Sequence, residues 1–197
     1  MAKKKKPPTL TLPDLVLLSL LAERPMHGYQ ANAELERRQV RDWAAISRPQ
    51  VYYSLEKLLR LGLLHPADSG EPQQGPERRV LSTTARGRDA LASSLEREDW
   101  ATQRDRPRFL TWMALSWLAR PGVVRRQLER RRKFLIRELE RERKTLDALV
   151  AEVGHEFHEA IWMVTLIIGQ FETELSWIDK VEAGLSHRAR AKHPPRP

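Results

Sequence analysis

Apolar residues in the first part of the chain are spaced as in helices. Leucine and valine occupy most of residues 12–23, so this segment is predicted to form a helix buried on nearly all sides. Thr11 can cap its start, with Asp14 three residues further on, and Pro25 follows its end. A second, more polar helix is predicted over residues 29–38. A loop is predicted to follow, with Trp43 and Ile46 as its anchors, and Tyr29 is predicted to be a core or turn anchor.

A third helix is predicted where an apolar stripe follows a serine and a proline. Ser47 is placed to cap its start, Pro49 fits its first turn, and Gly62 stands just past its end. The stripe has the i, i+4, i+7, i+8 spacing of one helix face. It consists of Val51, Leu55, Leu58 and Leu59.

A β-hairpin is predicted directly after this helix. Leu63-Leu64 begins an extended segment, residues 68–76 are rich in Gly, Pro, Ser and Gln, and residues 77–82 form the return strand. A fourth helix is predicted over residues 85–100. Three helices followed by two strands are the order of a winged helix-turn-helix.

The second half of the chain is predicted to be helical throughout. Helices are expected over residues 109–118, 123–153 and 155–184, with a proline and a glycine between the first two. The longest helix carries a heptad-like leucine seam, and the last has an apolar run, 161–168, predicted to be buried on nearly all sides. Both features favour a homodimer. The residues expected at its interface are Leu135, Leu139, Leu146, Leu149, Ile161, Val164 and Ile168.

Composition narrows the functional class. The 197 residues include 35 Lys and Arg against 26 Asp and Glu, a formal charge of +9, which favours a polyanionic partner. The absence of cysteine from the sequence excludes a disulfide scaffold, a thiolate zinc site and a cysteine nucleophile. Apolar runs at 15–22 and 161–171 are too short to cross a bilayer, so we expect a cytoplasmic protein without membrane contact.

Catalytic and metal-binding patterns are not found in the sequence. It has no nucleophile elbow, P-loop or dinucleotide-binding glycine pattern, so we predict a protein that is not an enzyme and uses no cofactor. His155 and His158 are three residues apart, whereas the zinc-protease pattern needs four. No metal site is predicted.

Double-stranded DNA is the polyanion that the predicted fold suits. The third helix of a winged helix-turn-helix can enter the major groove, where its N-terminal residues reach base edges and other polar groups hold phosphates. Basic residues of the N-terminal arm and the hairpin would contact the flanking backbone. The predicted DNA contacts are Lys5, Lys6, Gln30, Ser47, Arg48, Gln50, Tyr52, Tyr53, Lys57, Gln74, Arg78 and Arg79.

Three segments in this order resemble the PadR family of transcriptional regulators. They are LVLLSLL at 15–21 followed by His27-Gly28-Tyr29, SRPQVYYSLEKL at 47–58 followed by Gly62, and PERRVLSTTARG at 76–87. Pro49 and Leu81 depart from the small residue and the aromatic residue usual at these family positions. The resemblance covers about 90 residues, and the helical second half matches the longer branch of the family in layout.

The resemblance implies a homodimeric repressor on a palindromic operator, with half-sites about one helical turn, roughly 34 Å, apart. Some relatives release DNA when an aromatic small molecule binds near the dimer interface. Tryptophans of the second half could line a pocket for such an inducer, or they could instead fill the core and the dimer interface. The residues of this predicted pocket are Trp112, Trp117 and Trp162.

The predicted fold class is therefore mainly α, with an N-terminal winged helix-turn-helix of three helices and a two-stranded wing, followed by an all-helical dimerisation domain. The predicted boundaries are a disordered basic arm over 1–8, the DNA-binding domain over 9–105, the dimerisation domain over 106–186 and a disordered basic tail over 187–197. The alternative is an adaptor whose winged helix binds other proteins rather than DNA.

Overall fold

The computed structural model of the protein describes residues 9–67, 79–104 and 107–188. The predictions for the N-terminal arm with Lys5 and Lys6, for Gln74 and Arg78 in the wing, and for the tail beyond residue 188 lie outside these ranges. The chain divides into two compact units, Met1–Arg104 and Asp105–Pro197.

The first unit is a winged helix. Its described elements are α1 (Leu12–Glu23), β1 (Met26–His27), α2 (Gly28–Arg37), α3 (Val40–Ala44), α4 (Arg48–Arg60), β2 (Leu64–Pro66), β3 (Val80–Thr83), α5 (Ala85–Leu95) and α6 (Asp99–Thr102). Helices α1 and α4 have the predicted bounds. One hydrophobic core joins them, with Leu17 and Leu18 of α1 and Val51 and Leu58 of α4 entirely or almost entirely buried.

The wing sheet has three strands, where two were predicted. The strand order is β1-β3-β2, and both neighbours run antiparallel to the central strand. Met26 of β1 pairs with Leu81, and Leu64 of β2 pairs with Thr83. Because β1 is only two residues long, it leaves no alternating pattern in the sequence, and its pairing with β3 comes from the tertiary fold.

Other differences in this unit concern short elements and surface aromatics. Residues 40–44 form a helix where a loop was predicted, and the predicted fourth helix is divided into α5 and α6. Ile46 is buried as expected. Trp43 is 46% exposed, so its prediction as an anchor is wrong, and Tyr29 is 59% exposed, so it does not anchor in the core.

The second unit consists of helices in its described residues. They are α7 (Arg108–Leu115), a 3-10 turn (Ser116–Leu118), α8 (Val123–Val153) and α9 (Glu159–Arg188). Helix α8 has the predicted bounds, set by Gly122 and Gly154, both in the left-handed conformation. Its buried Leu128 and Leu135 pack with Ile178 of α9.

Part of the leucine seam packs inside one chain, so four of the residues predicted at the dimer interface are covered by their own unit. Leu135, Leu139, Ile161 and Val164 are buried within the unit, since α8 packs along α9. Leu146, Leu149 and Ile168 are partly buried. The prediction that the apolar run of α9 is buried on nearly all sides is wrong, because Trp162 and Leu166 are 55% and 63% exposed.

Ion pairs neutralise much of the basic face of α8. Both guanidinium nitrogens Nε and Nη2 of Arg131 donate to Glu174 of α9 at 2.7 Å. Arg132 binds Asp179 and Glu182, at 2.6 and 2.7 Å. Arginines of α8 thus help to hold α9.

Candidate functional site

Helix α4 has one face in the core and one face in solvent. Ser54 and Leu55 lie on the buried face with Val51 and Leu58, at the i, i+3, i+4, i+7 spacing that the stripe predicts. The opposite side exposes the whole first turn, from Ser47 to Gln50. Since the N-terminal end of a helix carries a partial positive charge, this exposed turn is suited to meet phosphate or base edges.

Arg48 and the two tyrosines are the largest exposed groups of this half of α4. The Arg48 side chain is 72% exposed, and its Nη2 lies 3.8 Å from Glu36 Oε1, a distance at which solvent screens the pair. Tyr52 and Tyr53 are 41% and 64% exposed. A guanidinium and two phenol hydroxyls are therefore exposed within the first two turns of α4.

Gln50 is held by the start of its own helix. Its Oε1 accepts hydrogen bonds from the backbone N–H and the hydroxyl of Ser47, both at 2.8 Å. Two-point pairing with adenine needs the amide oxygen and the amide nitrogen together. Reading a base in that way would therefore require Gln50 to leave Ser47, whereas its amide nitrogen can donate without any rearrangement.

Lys57 does not belong to the exposed face, which corrects its prediction as a DNA contact. Its ammonium Nζ lies 2.5 Å from Asp14 Oδ2, and its side chain is only 22% exposed. Asp14 is fully buried at the start of α1. The helical period places Lys57 next to the buried stripe, and a carboxylate 43 residues earlier in the chain binds it there.

The start of α2 extends the exposed face of α4. A Cβ atom on Gly28 would lie 3.2 Å from both the Tyr52 ring and Leu55, so glycine allows α2 to approach α4 closely. Tyr29 is exposed and stacks on His27 with ring centroids 5.3 Å apart. Tyr29 thus joins the candidate surface, although its sequence position in His27-Gly28-Tyr29 was interpreted as structural.

Gln30 follows Tyr29 in α2, and its side chain is hydrogen-bonded to the start of its own helix, as the side chain of Gln50 is in α4. Its Oε1 accepts from the backbone N–H of His27 at 2.8 Å, so the side chain closes the first turn of α2. Its amide nitrogen can still donate to a phosphate.

The base of the wing is fixed by its contacts with the helices. The Thr83 hydroxyl donates to the Leu18 carbonyl of α1 at 2.8 Å. The Thr84 hydroxyl accepts from the N–H of Gly87 at 2.9 Å and so caps α5. Arg79 precedes β3 and is exposed. It is therefore a cation placed at the entry of a rigidly anchored strand.

A groove of about 760 Å³ lies in the second unit. Phe109 of α7 and Trp177 of α9 form part of its wall in an edge-to-face contact, 6.3 Å between centroids. Arg131 also borders it, with its guanidinium over the Phe109 ring at 5.2 Å. The remaining lining residues are Pro107, Leu110, Thr165, Leu166, Gly169, Gln170, Thr173 and Glu174.

The tryptophans of the predicted effector pocket lie outside the lining of this groove. Neither Trp112, Trp117 nor Trp162 lines the groove, and Trp112 borders a separate recess of about 240 Å³ with Arg130 and Arg131. Trp112 stacks on Phe109 at 5.5 Å, so it supports the groove wall from behind. The aromatic side chains that do line the groove, Phe109 and Trp177, are more than 65 residues apart in sequence, which hides their proximity from a pattern search.

The PadR-like family of transcriptional regulators matches residues 17–93. This range covers all three wing strands and runs from within α1 into α5, including the exposed face of α4. The chain carries a PadR-like domain. The resemblance drawn from the three sequence segments is thereby confirmed, and the departures at Pro49 and Leu81 do not change the fold.

Solved structures extend the likeness over the helical unit of the chain. Bacillus subtilis PadR in complex with operator DNA is similar with a TM-score of 0.74 at 15% identity, covering 89% of this chain and 98% of that chain. The Vibrio cholerae virulence activator AphA has a TM-score of 0.67 at 22% identity, with coverages of 90% and 99%. Bacillus subtilis PadR in complex with p-coumaric acid has a TM-score of 0.61 at 14% identity, with coverages of 89% and 99%.

At these identities the likeness shows the fold: a winged helix followed by a helical region. No curated protein matches the sequence. Among the described residues, no helix is long and apolar enough to span a membrane. In the same residues, no three His, Asp or Glu side chains are grouped so that they could hold a metal ion.

Proposed function

We propose that the protein is a sequence-specific DNA-binding transcription regulator, acting as a homodimeric repressor that a small aromatic effector releases from its operator. The observation that carries DNA binding is the exposed N-terminal half of α4 within a PadR-like domain. Arg48, Tyr52 and Tyr53 project from that half, Tyr29 lies beside it, and Arg79 stands at the wing.

The proposed DNA contacts differ in kind because the side chains differ in chemistry. Arg48 can pair with guanine or a phosphate, and Tyr53 can donate from its hydroxyl. Arg79 would neutralise a phosphate next to the wing, which contributes affinity without sequence information. Lys5, Lys6, Gln74 and Arg78 remain predicted contacts outside the described residues, and Lys57 is not proposed as one.

Selection from a random pool of 26-base-pair duplexes tests DNA reading directly. The selected duplex is then titrated with wild type, Arg48→Ala and Arg60→Ala. Arg60 is a matched control, since it removes the same charge from the same helix about 18 Å further along the axis. We expect Arg48→Ala to weaken binding about 5–150-fold and Arg60→Ala to change it little.

Two results would contradict this function. Equal effects of the two arginine substitutions would mean that the start of α4 does not read the duplex. Failure to retain any duplex at low salt would favour the alternative, a winged-helix adaptor for proteins.

The homodimer is proposed on the outward side of α9. Trp162 and Leu166 are exposed one turn apart, and Gly169 follows with open space around its Cα. Exposed apolar patches of this kind mark association surfaces, and small residues let a second helix approach closely. We propose a second copy of the chain as the occupant, because a palindromic operator requires two reading helices related by a two-fold axis.

The effector is proposed to bind the groove between α7, α8 and α9. Phe109 and Trp177 offer ring faces and edges to a planar molecule. Glu174 already occupies Arg131 with two hydrogen bonds, so a ligand carboxylate would have to displace it. We therefore propose a neutral planar aromatic ligand. Leu166 borders both the groove and the association surface, which couples ligand binding to the arrangement of the two copies.

A further inference from the structure

Helix α1 and the recognition helix α4 are joined by a buried ion pair that the proposed DNA contacts do not use. Asp14 is 0% exposed, and its Oδ2 accepts from the Thr11 backbone N–H at 2.7 Å, the Thr11 hydroxyl at 2.8 Å and the Lys57 ammonium at 2.5 Å. Lys57 therefore reaches from α4 to the capped first turn of α1.

The Ser54 side chain of α4 also hydrogen-bonds to Asp14. Much of the remaining contact between these helices is apolar. Leu17, Leu18 and Leu21 of α1 and Val51 and Leu58 of α4 belong to one core cluster. Apolar packing of leucines tolerates small shifts along a helix axis, because dispersion contacts have no preferred direction. A charged hydrogen bond with a fixed acceptor tolerates them much less, and a buried polar group of this kind can select one register.

The ionised form of the pair is favoured by its surroundings. Burial on its own would raise the pKa of Asp14, but the hydrogen bonds from Lys57 and Thr11 outweigh it and lower the pKa below its ordinary value. Asp14 thus stays charged at neutral pH and keeps Lys57 bound.

We infer that Asp14 and Lys57 are positioning residues that fix α4 on α1, so that Arg48 and Tyr53 meet the operator in one register. This inference rests on the proposed DNA-binding function. Lys57 lies nine residues after Arg48, and a shift of α4 along its axis would be transmitted to the exposed first turn, because both residues belong to one continuous helix.

The double variant Asp14→Asn/Lys57→Met tests the inference. It leaves the net charge of the protein unchanged, because one negative and one positive group are lost together. Asparagine can still accept from Thr11, and methionine fills the volume of the lysine stem. We expect unfolding temperature and affinity for a random duplex to stay near wild type, and affinity for the selected duplex to fall at least tenfold.

The single variant Asp14→Asn separates positioning from direct contact. It releases Lys57 from its carboxylate without removing the ammonium. A positioning role predicts weaker binding of the selected duplex and no loss of affinity for the random one. This variant also supplies the test if the double variant does not fold.

Three results would overturn the inference. Unchanged affinity of the double variant for the selected duplex would mean that the pair serves stability alone. An equal loss on both duplexes, with a shallower salt dependence, would mean that Lys57 contacts a phosphate. If the wild-type protein binds neither the random duplex nor any selected one, the proposed DNA-binding function is wrong. The inference, which rests on that function, is then wrong as well.

Discussion

Gly87 and the Leu63 carbonyl oxygen are so close that a Cβ atom on Gly87 would lie 2.2 Å from that oxygen. The contact joins the first turn of α5 to the residue before β2, next to the Thr84 cap. Backbone on both sides prevents either atom from moving aside. Glycine at position 87 is therefore required for α5 to close the wing against the helices.

Replacing Gly87 by alanine is expected to destabilise the first unit by about 1–3 kcal/mol or more, because the added methyl group overpacks a rigid contact. Urea denaturation of the full chain, together with hydrogen exchange of residues 80–83, measures the effect. Gly184→Ala is the control: a methyl group at that position would have nothing within 4 Å, so this variant should gain about 0.5–1 kcal/mol. Similar losses in both variants would contradict the steric explanation.

Glu34 should make the first unit sensitive to acid. Hydrogen bonds from Arg37 and Arg38 outweigh burial and lower its pKa to about 2, from an ordinary value of 4.5. Its contribution, roughly 3 kcal/mol, is fully present above about pH 4.5 and is lost as the pH falls towards 2. Glu34→Gln should remove this pH dependence, as measured by hydrogen exchange in α1 and α2 between pH 5 and 2.5.

Glu36→Gln provides the comparison for the acid experiment. Glu36 binds Arg41 and Arg48 but its side chain is 49% exposed, so solvent screens these pairs. The Glu36→Gln variant should leave the pH dependence of hydrogen exchange in α1 and α2 nearly unchanged. If both variants alter the profile alike, the hydrogen bonds from Arg37 and Arg38 to Glu34 are not the cause of the acid sensitivity.

Leu166→Glu should convert the proposed dimer into a monomer. The substitution places a charge on the exposed side of α9, between Trp162 and Gly169. A partner helix that packs there would have to remove water from this charge. Light scattering after size exclusion gives the mass of each species. Phe157→Glu changes an 81% exposed aromatic in the segment between α8 and α9 and should remain dimeric. A dimeric Leu166→Glu protein would place the interface elsewhere.

Tryptophan fluorescence should report ligand binding in the groove through Trp177. p-Coumaric acid and its neutral amide form a suitable pair of probes. They differ only in that the acid carries a carboxylate, which would compete with Glu174 for Arg131. We expect the amide to quench tryptophan fluorescence more strongly than the acid. The Trp177→Phe variant should lose the saturable part of this quenching. Trp117→Phe, outside the groove, should retain it. If saturable quenching persists in Trp177→Phe and is lost in Trp117→Phe, the ligand binds in a pocket near Trp117 and not in the groove.

The sequence determines the long elements of this fold because their ends carry strong local signals. Helix α4 begins at the Ser47 cap and ends before Gly62, whose φ is 67°, and α8 lies between two left-handed glycines. Helix α3 has no such signal. Gln39 and Ala45 flank it with φ values of 52° and 48°, a conformation unusual for side chains with a Cβ atom, so tertiary packing imposes these boundaries.

The candidate site was predictable only where exposure follows from helix period. Tyr53 lies opposite the apolar stripe and is exposed as expected. Arg48 is exposed because it is the first residue of α4. Lys57 is polar by type and borders the stripe, but its partner Asp14 lies in another helix. Leu135 similarly follows a heptad pattern that fits a partner helix of the same chain as well as one of a second chain. Pairings between distant segments therefore account for the main errors.

The three-stranded wing has a consequence for how the protein is made on the ribosome. Met26 can complete its pairing only when Leu81 is available, and the Leu18 carbonyl receives its hydrogen bond from Thr83, 65 residues later. At 5–20 residues per second, synthesis of that interval takes about 3–13 s. Throughout this time the leucines of α1 lack their final cover, so nascent chains are expected to depend on chaperone protection until the wing emerges.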